Sequence, residues 1–241
     1  MTAVNENLIL ALDVDTGAQA SEWVLRLKPF IRWFKVGSQL FVAEGPRIVE
    51  TINQLGGKVF LDLKFYDIPT TVAKAGIEAT RLQVGMFNVH ALGGTEMMKA
   101  CMDSSCNFAI QKNIPLPKVL AVTLLTSHGK TMVEKEMGFP GPLLFHSIRL
   151  GKLAKSAGLD GIITSGLELP VLRKEIGNDF CYVVPGIRSS WSDHNDQKRV
   201  ETPAEAIGHG ATYLVIGRPI LTAINPEEAV QKIIQEMSSL K

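Results

Sequence analysis

Cysteine is scarce, neither sign of charge dominates, and no apolar run is long enough to span a membrane. Each shortage removes a class of function. The three cysteines, Cys101, Cys106 and Cys181, are an odd number without metal-ligand spacing, so a disulfide scaffold is not expected and the thiols should be free and mostly buried. Twenty-five Lys and Arg face twenty-four Asp and Glu, a formal charge of +1, with no basic block or aromatic-basic stripe. Nucleic acid and anionic membrane are therefore not expected as partners. The opening residues 1–7 carry no basic stretch, and the apolar run Leu8–Leu12 is too short for a signal-peptide core or a span, which predicts a soluble, cytoplasmic protein. His90, His128, His146, His194 and His209 fall in separate segments without paired zinc spacing, and read as structural or surface residues, with only His90 standing at a strand end. Met97, Met98 and Met102 with Cys101 and Cys106 form a soft apolar face suited to core or interface packing.

What is present is a regular alternation of strand and helix signals. Leu8–Asp13 reads as a buried strand, followed by a helical pattern through Trp23, Val24, Leu27 and Pro29. Ile31–Gly37 is a second strand, and Phe41, Val42, Ile48, Val49 and Ile52 mark its helix. Residues 58–64 lead to a helix from Pro69 to about Leu82, and Met86–His90 leads to a helix after Gly93-Gly94. Lys118–Thr123 precedes a helix at residues 142–157, and strands at 159–163 and 181–184 flank a helix at Glu168–Ile176. Thr212–Ile216 is the eighth strand, and Pro226–Met237 an amphipathic closing helix. Eight strand–helix units in 241 residues without a linker favour one α/β domain over residues 1–241, a single (β/α)₈ TIM barrel. In such a barrel the active residues sit at the C-terminal ends of strands and in the loops that follow. Asp13, Lys35, Asp62, Lys64, Thr126, Arg188 and Arg218 all fall there.

Residues 59–71 hold the densest chemistry, because Asp62, Lys64 and Asp67 interrupt an apolar run where a strand becomes a helix. Period-two geometry predicts that Asp62 and Lys64 share one face and pair, since a buried carboxylate needs a cation. Pro69 suits the first helical turn, with Asp67 ahead of it as a plausible cap. At the other end of the chain, Val184-Pro185-Gly186-Ile187-Arg188 and Ile216-Gly217-Arg218-Pro219 follow the last two strands, where barrels commonly hold phosphate with loop amides and cations. Between them, residues 189–202 form a long polar segment of the kind that closes over ligands. Its Gln197 can serve both an anion and a carbonyl.

These residues together resemble the orotidine 5′-phosphate decarboxylase family. The resemblance covers roughly residues 8–240 and rests on Ala11-Leu12-Asp13, Phe34-Lys35-Val36-Gly37, residues 61–71, Leu125-Thr126-Ser127, Pro185–Arg188, Asp196–Val200 and Gly217–Ile220. It implies conversion of orotidine 5′-phosphate to UMP in pyrimidine synthesis, without metal or organic cofactor, by a homodimer with active sites at the subunit interface. Lys64 resembles the lysine that protonates the carbon losing carbon dioxide, and Asp62 lies beside the departing carboxylate. Asp13 and Lys35 resemble ribose-side residues, with Lys35 completing an alternating charge array. Asp67 and Thr71 would reach into the partner's active site. Thr126 would hold the pyrimidine, Gln197 would bridge base and phosphate, and Arg188, Arg218 and the Gly217 amide would hold the phosphate. The chain has no room for a fused phosphoribosyltransferase domain, so a stand-alone, bacterial-type form is expected. Two rivals remain open. One is a metal-dependent sugar-phosphate decarboxylase or lyase of the same wider group, which a cation at position 35 opposes because a protonated lysine offers magnesium no ligand. The other is a non-catalytic barrel that binds nucleotide.

Overall fold

The computed structural model describes residues 4–189 and 201–239. Eight parallel strands follow one another in sequence order and close into a barrel, β1-β2-β3-β4-β5-β6-β7-β8, with helices between them. The fold is the TIM barrel that the strand count predicts. The strands are β1 Asn5–Ala11, β2 Ile31–Gly37, β3 Lys58–Phe65, β4 Met86–His90, β5 Lys118–Val122, β6 Gly161–Ile163, β7 Cys181–Pro185 and β8 Tyr213–Ile216. They read as near-continuous apolar runs because parallel strands under helices are buried on both faces. Two compact units account for the chain, one running to Leu63 and resuming at Val184, the other spanning Lys64–Val183.

In the first unit, β1 pairs with both β2 and β8, and β2 pairs with β3 in a register that sets Gly37 opposite Asp62. Leu8, Ile9, Leu10, Phe34, Phe60 and Leu214 are buried there, each contributing on the order of 1.5–3 kcal/mol of apolar transfer energy. Helix α1, Gly17–Leu27, starts at a capping box: Thr16 and Gln19 each accept the other's backbone N–H, which satisfies two donors that a helix start leaves open. One helix was expected after β2, but the structure has two, α2 at Ser38–Glu44 and α3 at Arg47–Gln54. Gly45 adopts φ +65° as the α2 cap, and Pro46 has no N–H to continue the ladder. Val42, expected on the buried face of a single helix, is left exposed. The closing helices of this unit are α8 Pro203–Gly208, α9 Arg218–Leu221 and α10 Pro226–Ser238.

The second unit pairs β4 with β5, β5 with β6 and β6 with β7. Its helices are α4 Pro69–Arg81, α5 Gly94–Lys112, α6 Leu143–Ser156 and α7 Leu169–Ile176. Its core holds Phe87, Val89, Leu120, Ile162 and Tyr182. The buried Tyr182 hydroxyl donates to the Gly177 carbonyl at 2.8 Å, and burial pushes its pKa up to about 12. Helix α4 packs closely on α5 through Gly76, where a Cβ would stand 2.7 Å from Cys101 Sγ. Among the described residues, no helix is long and apolar enough to cross a membrane.

Candidate active site

Strand β2 carries Lys35 near its C-terminal end, paired in register with Ala11 on β1 and Phe60 on β3. Its ammonium lies between two carboxylates. Lys35 Nζ donates to Asp13 Oδ1 at 3.1 Å and stands 3.6 Å from Asp62 Oδ2. The Lys35 and Asp62 side chains are only 12% and 14% exposed, whereas Asp13, two residues past the end of β1, is 57% exposed. Water therefore screens one pair far more than the other. At an effective dielectric of 20, charges 3.6 Å apart attract by about 4–5 kcal/mol, which offsets much of the cost of holding Asp62 away from bulk water.

Two glycines leave room for this cluster. A Cβ at Gly37 would meet Lys35 Nζ at 3.1 Å, and one at Gly217 would meet Asp13 Oδ2 at 3.3 Å and Ala11 Cβ at 3.2 Å. Side chains at either position would force the charged groups to shift.

Lys64 opens the second unit, and its backbone breaks the pleat. Its φ is +53°, a left-handed conformation that costs an L-residue about 1–2 kcal/mol. Its N–H donates to the Asn88 Oδ1 at 2.7 Å, and Asn88 is fully buried on β4. Beyond Lys64, the Phe65 and Phe87 rings lie 5.9 Å apart, and Tyr66 stacks on His90 at 5.6 Å with a 29° interplanar angle. The His90 Nδ1 accepts the Leu92 N–H at 3.3 Å, which leaves the ring proton on Nε2. Burial first, then the charges of His128 and Lys64, hold His90 below its ordinary pKa.

Asp67 and Thr71 are exposed at the turn into α4. Pro69 occupies the first helical turn as expected, but Ile68 is the N-cap residue. Asp67 Oδ1 accepts the Ile68 N–H at 2.6 Å instead of capping a helix amide, because it lies one residue too early. Thr126 is exposed after β5, in a turn that the His128 N–H closes on the Leu125 carbonyl at 2.9 Å.

A sequence model of the orotidine 5′-phosphate decarboxylase / HUMPS family matches residues 6–233. The chain belongs to that family. It is 48% identical over 240 residues to the orotidine 5′-phosphate decarboxylase of Syntrophotalea carbinolica, covering 99% of this chain and 98% of the relative. It is 49% identical over 233 residues to that of Syntrophomonas wolfei, covering 96% and 98%. The crystal structure of the Lactobacillus acidophilus orotidine 5′-phosphate decarboxylase superposes with a TM-score of 0.85 at 35% identity, over 98% of this chain and all of that one.

The residues expected to hold phosphate in the decarboxylase family follow β7 and β8. Gly186 takes φ +80°, and the half-buried Arg188 fixes its backbone by donating its N–H to the Glu201 carbonyl at 3.1 Å. Gly217 caps α9, whose first residue is the exposed Arg218. Glu201 is itself buried, and burial raises its pKa although His209 Nδ1 lies 2.5 Å from its Oε1. Gln197 and the rest of the 190–200 segment lie outside the described residues.

The structure thus gathers Asp13, Lys35 and Asp62 into one ion-paired cluster and ties Lys64 to Asn88. Among the described residues, no group of three or more His, Cys, Asp or Glu could hold a metal ion. Sequence reasoning missed Asn88 and the Glu201–His209 pair, and quoted Gly37 and Tyr66 in its motifs without giving either a role. Asn88 had a readable signal, since an amide inside the apolar run Met86-Phe87-Asn88-Val89 must find a partner once buried.

Proposed function

We infer that this chain decarboxylates orotidine 5′-phosphate to UMP in pyrimidine biosynthesis, with Lys64 as the proton donor and with no metal or organic cofactor. Losing carbon dioxide from an unsaturated ring carbon breaks the carbon–carbon bond and leaves an electron pair in the ring plane, where it cannot delocalise into the π system. A fixed ammonium beside that carbon stabilises the pair and then donates its proton, and water reprotonates the lysine. Lys64 is assigned that role by the resemblance, and its constrained backbone supports it. Asp62 is assigned the place beside the departing carboxylate. Repulsion between two carboxylates is worth only about 4 kcal/mol at 4 Å and a dielectric of 20. The most proficient enzymes lower barriers by about 20 kcal/mol, so repulsion is a minor contributor beside the preorganised ammonium. Asp13 and Lys35 are assigned to the ribose, Thr126 to the pyrimidine, Gln197 to both base and phosphate, and Arg188, Arg218 and the Gly217 amide to the phosphate.

The observation that carries this reading over a metal-dependent member of the family is the ammonium between two carboxylates. Asp13 and Asp62 are the acids a divalent cation would recruit, and Lys35 Nζ already lies 3.1 and 3.6 Å from them. A second cation there would be repelled. The test is Lys64→Ala, which keeps the fold and UMP binding and loses about 10⁴-fold or more in turnover. Near-normal turnover in that variant removes Lys64 from the mechanism.

The same reading makes the whole chain one catalytic domain and the working form a cytoplasmic homodimer, with Asp67 and Thr71 completing the partner's site. Tyr66 and Ile68, 60% and 64% exposed beside Asp67, support a surface that a second copy covers. Mixed dimers of inactive Lys64→Ala and inactive Asp67→Ala subunits recover part of the activity on this account. No recovery in verified mixed dimers counts against shared sites.

A further inference from the structure

We propose that Asn88 is a positioning residue for the decarboxylation, acting through the backbone of Lys64; the proposal rests on the assignment of Lys64 as proton donor. A lysine in a strand would direct its N–H into the β ladder and its side chain along the pleat. Lys64 does neither. Its φ of +53° departs from extended geometry inside β3, one residue before the strand ends, and its N–H meets Asn88 Oδ1 at 2.7 Å. That amide is fully buried on β4, so the bond sees little competition from water, and losing it would strand a buried donor. Lysine has no intrinsic preference for the left-handed region. The conformation persists only where surrounding contacts enforce it, and such enforced strain is a known device of functional sites.

Further contacts brace the same turn. Phe65 lies against Phe87, and Tyr66 stacks on His90. Three residues of β4, Phe87, Asn88 and His90, thus engage three successive residues at the end of β3, Phe65, Lys64 and Tyr66. Phe87 and His90 hold rings, while Asn88 holds the peptide group that sets where the Lys64 side chain begins. A four-carbon side chain multiplies any error at its root, and a displacement of about 1 Å in a reacting group costs about 10²-fold in rate.

The experiment compares Asn88→Ser, whose short hydroxyl withdraws the acceptor from the Lys64 N–H, with Asn88→Asp, which retains an acceptor oxygen of the same reach. Both are measured for orotidine 5′-phosphate turnover and for UMP binding, beside Lys64→Ala. The expected result for Asn88→Ser is a fall of about 10²-fold in kcat, with KM and UMP affinity within about threefold. Asn88→Asp recovers at least about tenfold of that loss. A merely structural asparagine would lower stability and binding together and leave the kcat of the folded fraction unchanged, and that outcome overturns the proposal. So do equal losses in both variants. Should either variant not fold, amide hydrogen exchange on the wild-type protein decides: the Lys64 N–H exchanges at least about 10²-fold slower than an open chain if the bond holds it, and at the open-chain rate if it does not. The underlying assignment fails separately, by turnover surviving in Lys64→Ala.

Discussion

Replacing Lys35 with alanine tests the charge cluster where its energetics are most lopsided. The substitution removes an ammonium 3.6 Å from Asp62 and 3.1 Å from Asp13. At an effective dielectric of 20 the first attraction alone is worth about 4–5 kcal/mol. The two carboxylates should nevertheless respond differently. Asp62 is 14% exposed and cannot recover full hydration, while Asp13 is 57% exposed and can. Breaking a buried pair costs about 3–5 kcal/mol, and because Asp62 keeps other contacts and partial access to water, Lys35→Ala should fall below that range, at about 2 kcal/mol. Urea unfolding with an unchanged m-value measures this. A double-mutant cycle with Lys35→Ala and Asp62→Ala should give a coupling of about 2 kcal/mol. Lys35→Ala/Asp13→Ala should show a coupling below about 1 kcal/mol, as solvated pairs do. A Lys35–Asp62 coupling under about 0.5 kcal/mol, or one no larger than that with Asp13, would refute the reasoning.

Two further outcomes follow from groups outside that cluster. His90 is held below its ordinary pKa of 6.5, first by burial, so the folded protein binds fewer protons there than the unfolded chain. Its stabilising contribution is fully present above pH 6.5 and is lost as pH falls through the depressed folded value. Ring-proton NMR should place its midpoint below 6.5, and His90→Gln should flatten that acid-side loss; a midpoint at or above the ordinary value contradicts it. Gly76→Ala should gain about 1 kcal/mol in helix propensity but set a methyl 2.7 Å from Cys101 Sγ and 2.6 Å from Ser105 Oγ. Overpacking costs about 1–3 kcal/mol, so the melting temperature should fall, and a rise would show that α4 and α5 separate freely.

The barrel was legible because burial on both faces writes each strand as an apolar run between glycines and polar turns, from Leu8–Leu12 to Leu214–Ile216. The break between α2 and α3 was legible too, in Gly45-Pro46, but the apolar spacing of Phe41, Ile48 and Ile52 masked it. Strand assignment placed Lys35 and Asp62 near strand ends, and only the resemblance grouped Lys35 into a charge array; local spacing does not give the ion pair between them. That pairing depends on the β2–β3 register, a long-range property. The left-handed turn at Lys64 was illegible for a related reason. Nothing in a lysine favours positive φ, and the residue that accepts its N–H lies 24 positions downstream. Asp67 misled as a cap because Ile68 takes that position, a one-residue difference that local spacing does not resolve.

The central claim is metal-free decarboxylation of orotidine 5′-phosphate. The most direct measurement follows the loss of orotate absorbance when metal-stripped protein meets that substrate with chelator present. The account predicts rapid conversion to UMP and carbon dioxide, unchanged by added magnesium. Folded protein that leaves orotidine 5′-phosphate intact, yet acts on a sugar phosphate once magnesium is restored, would contradict it.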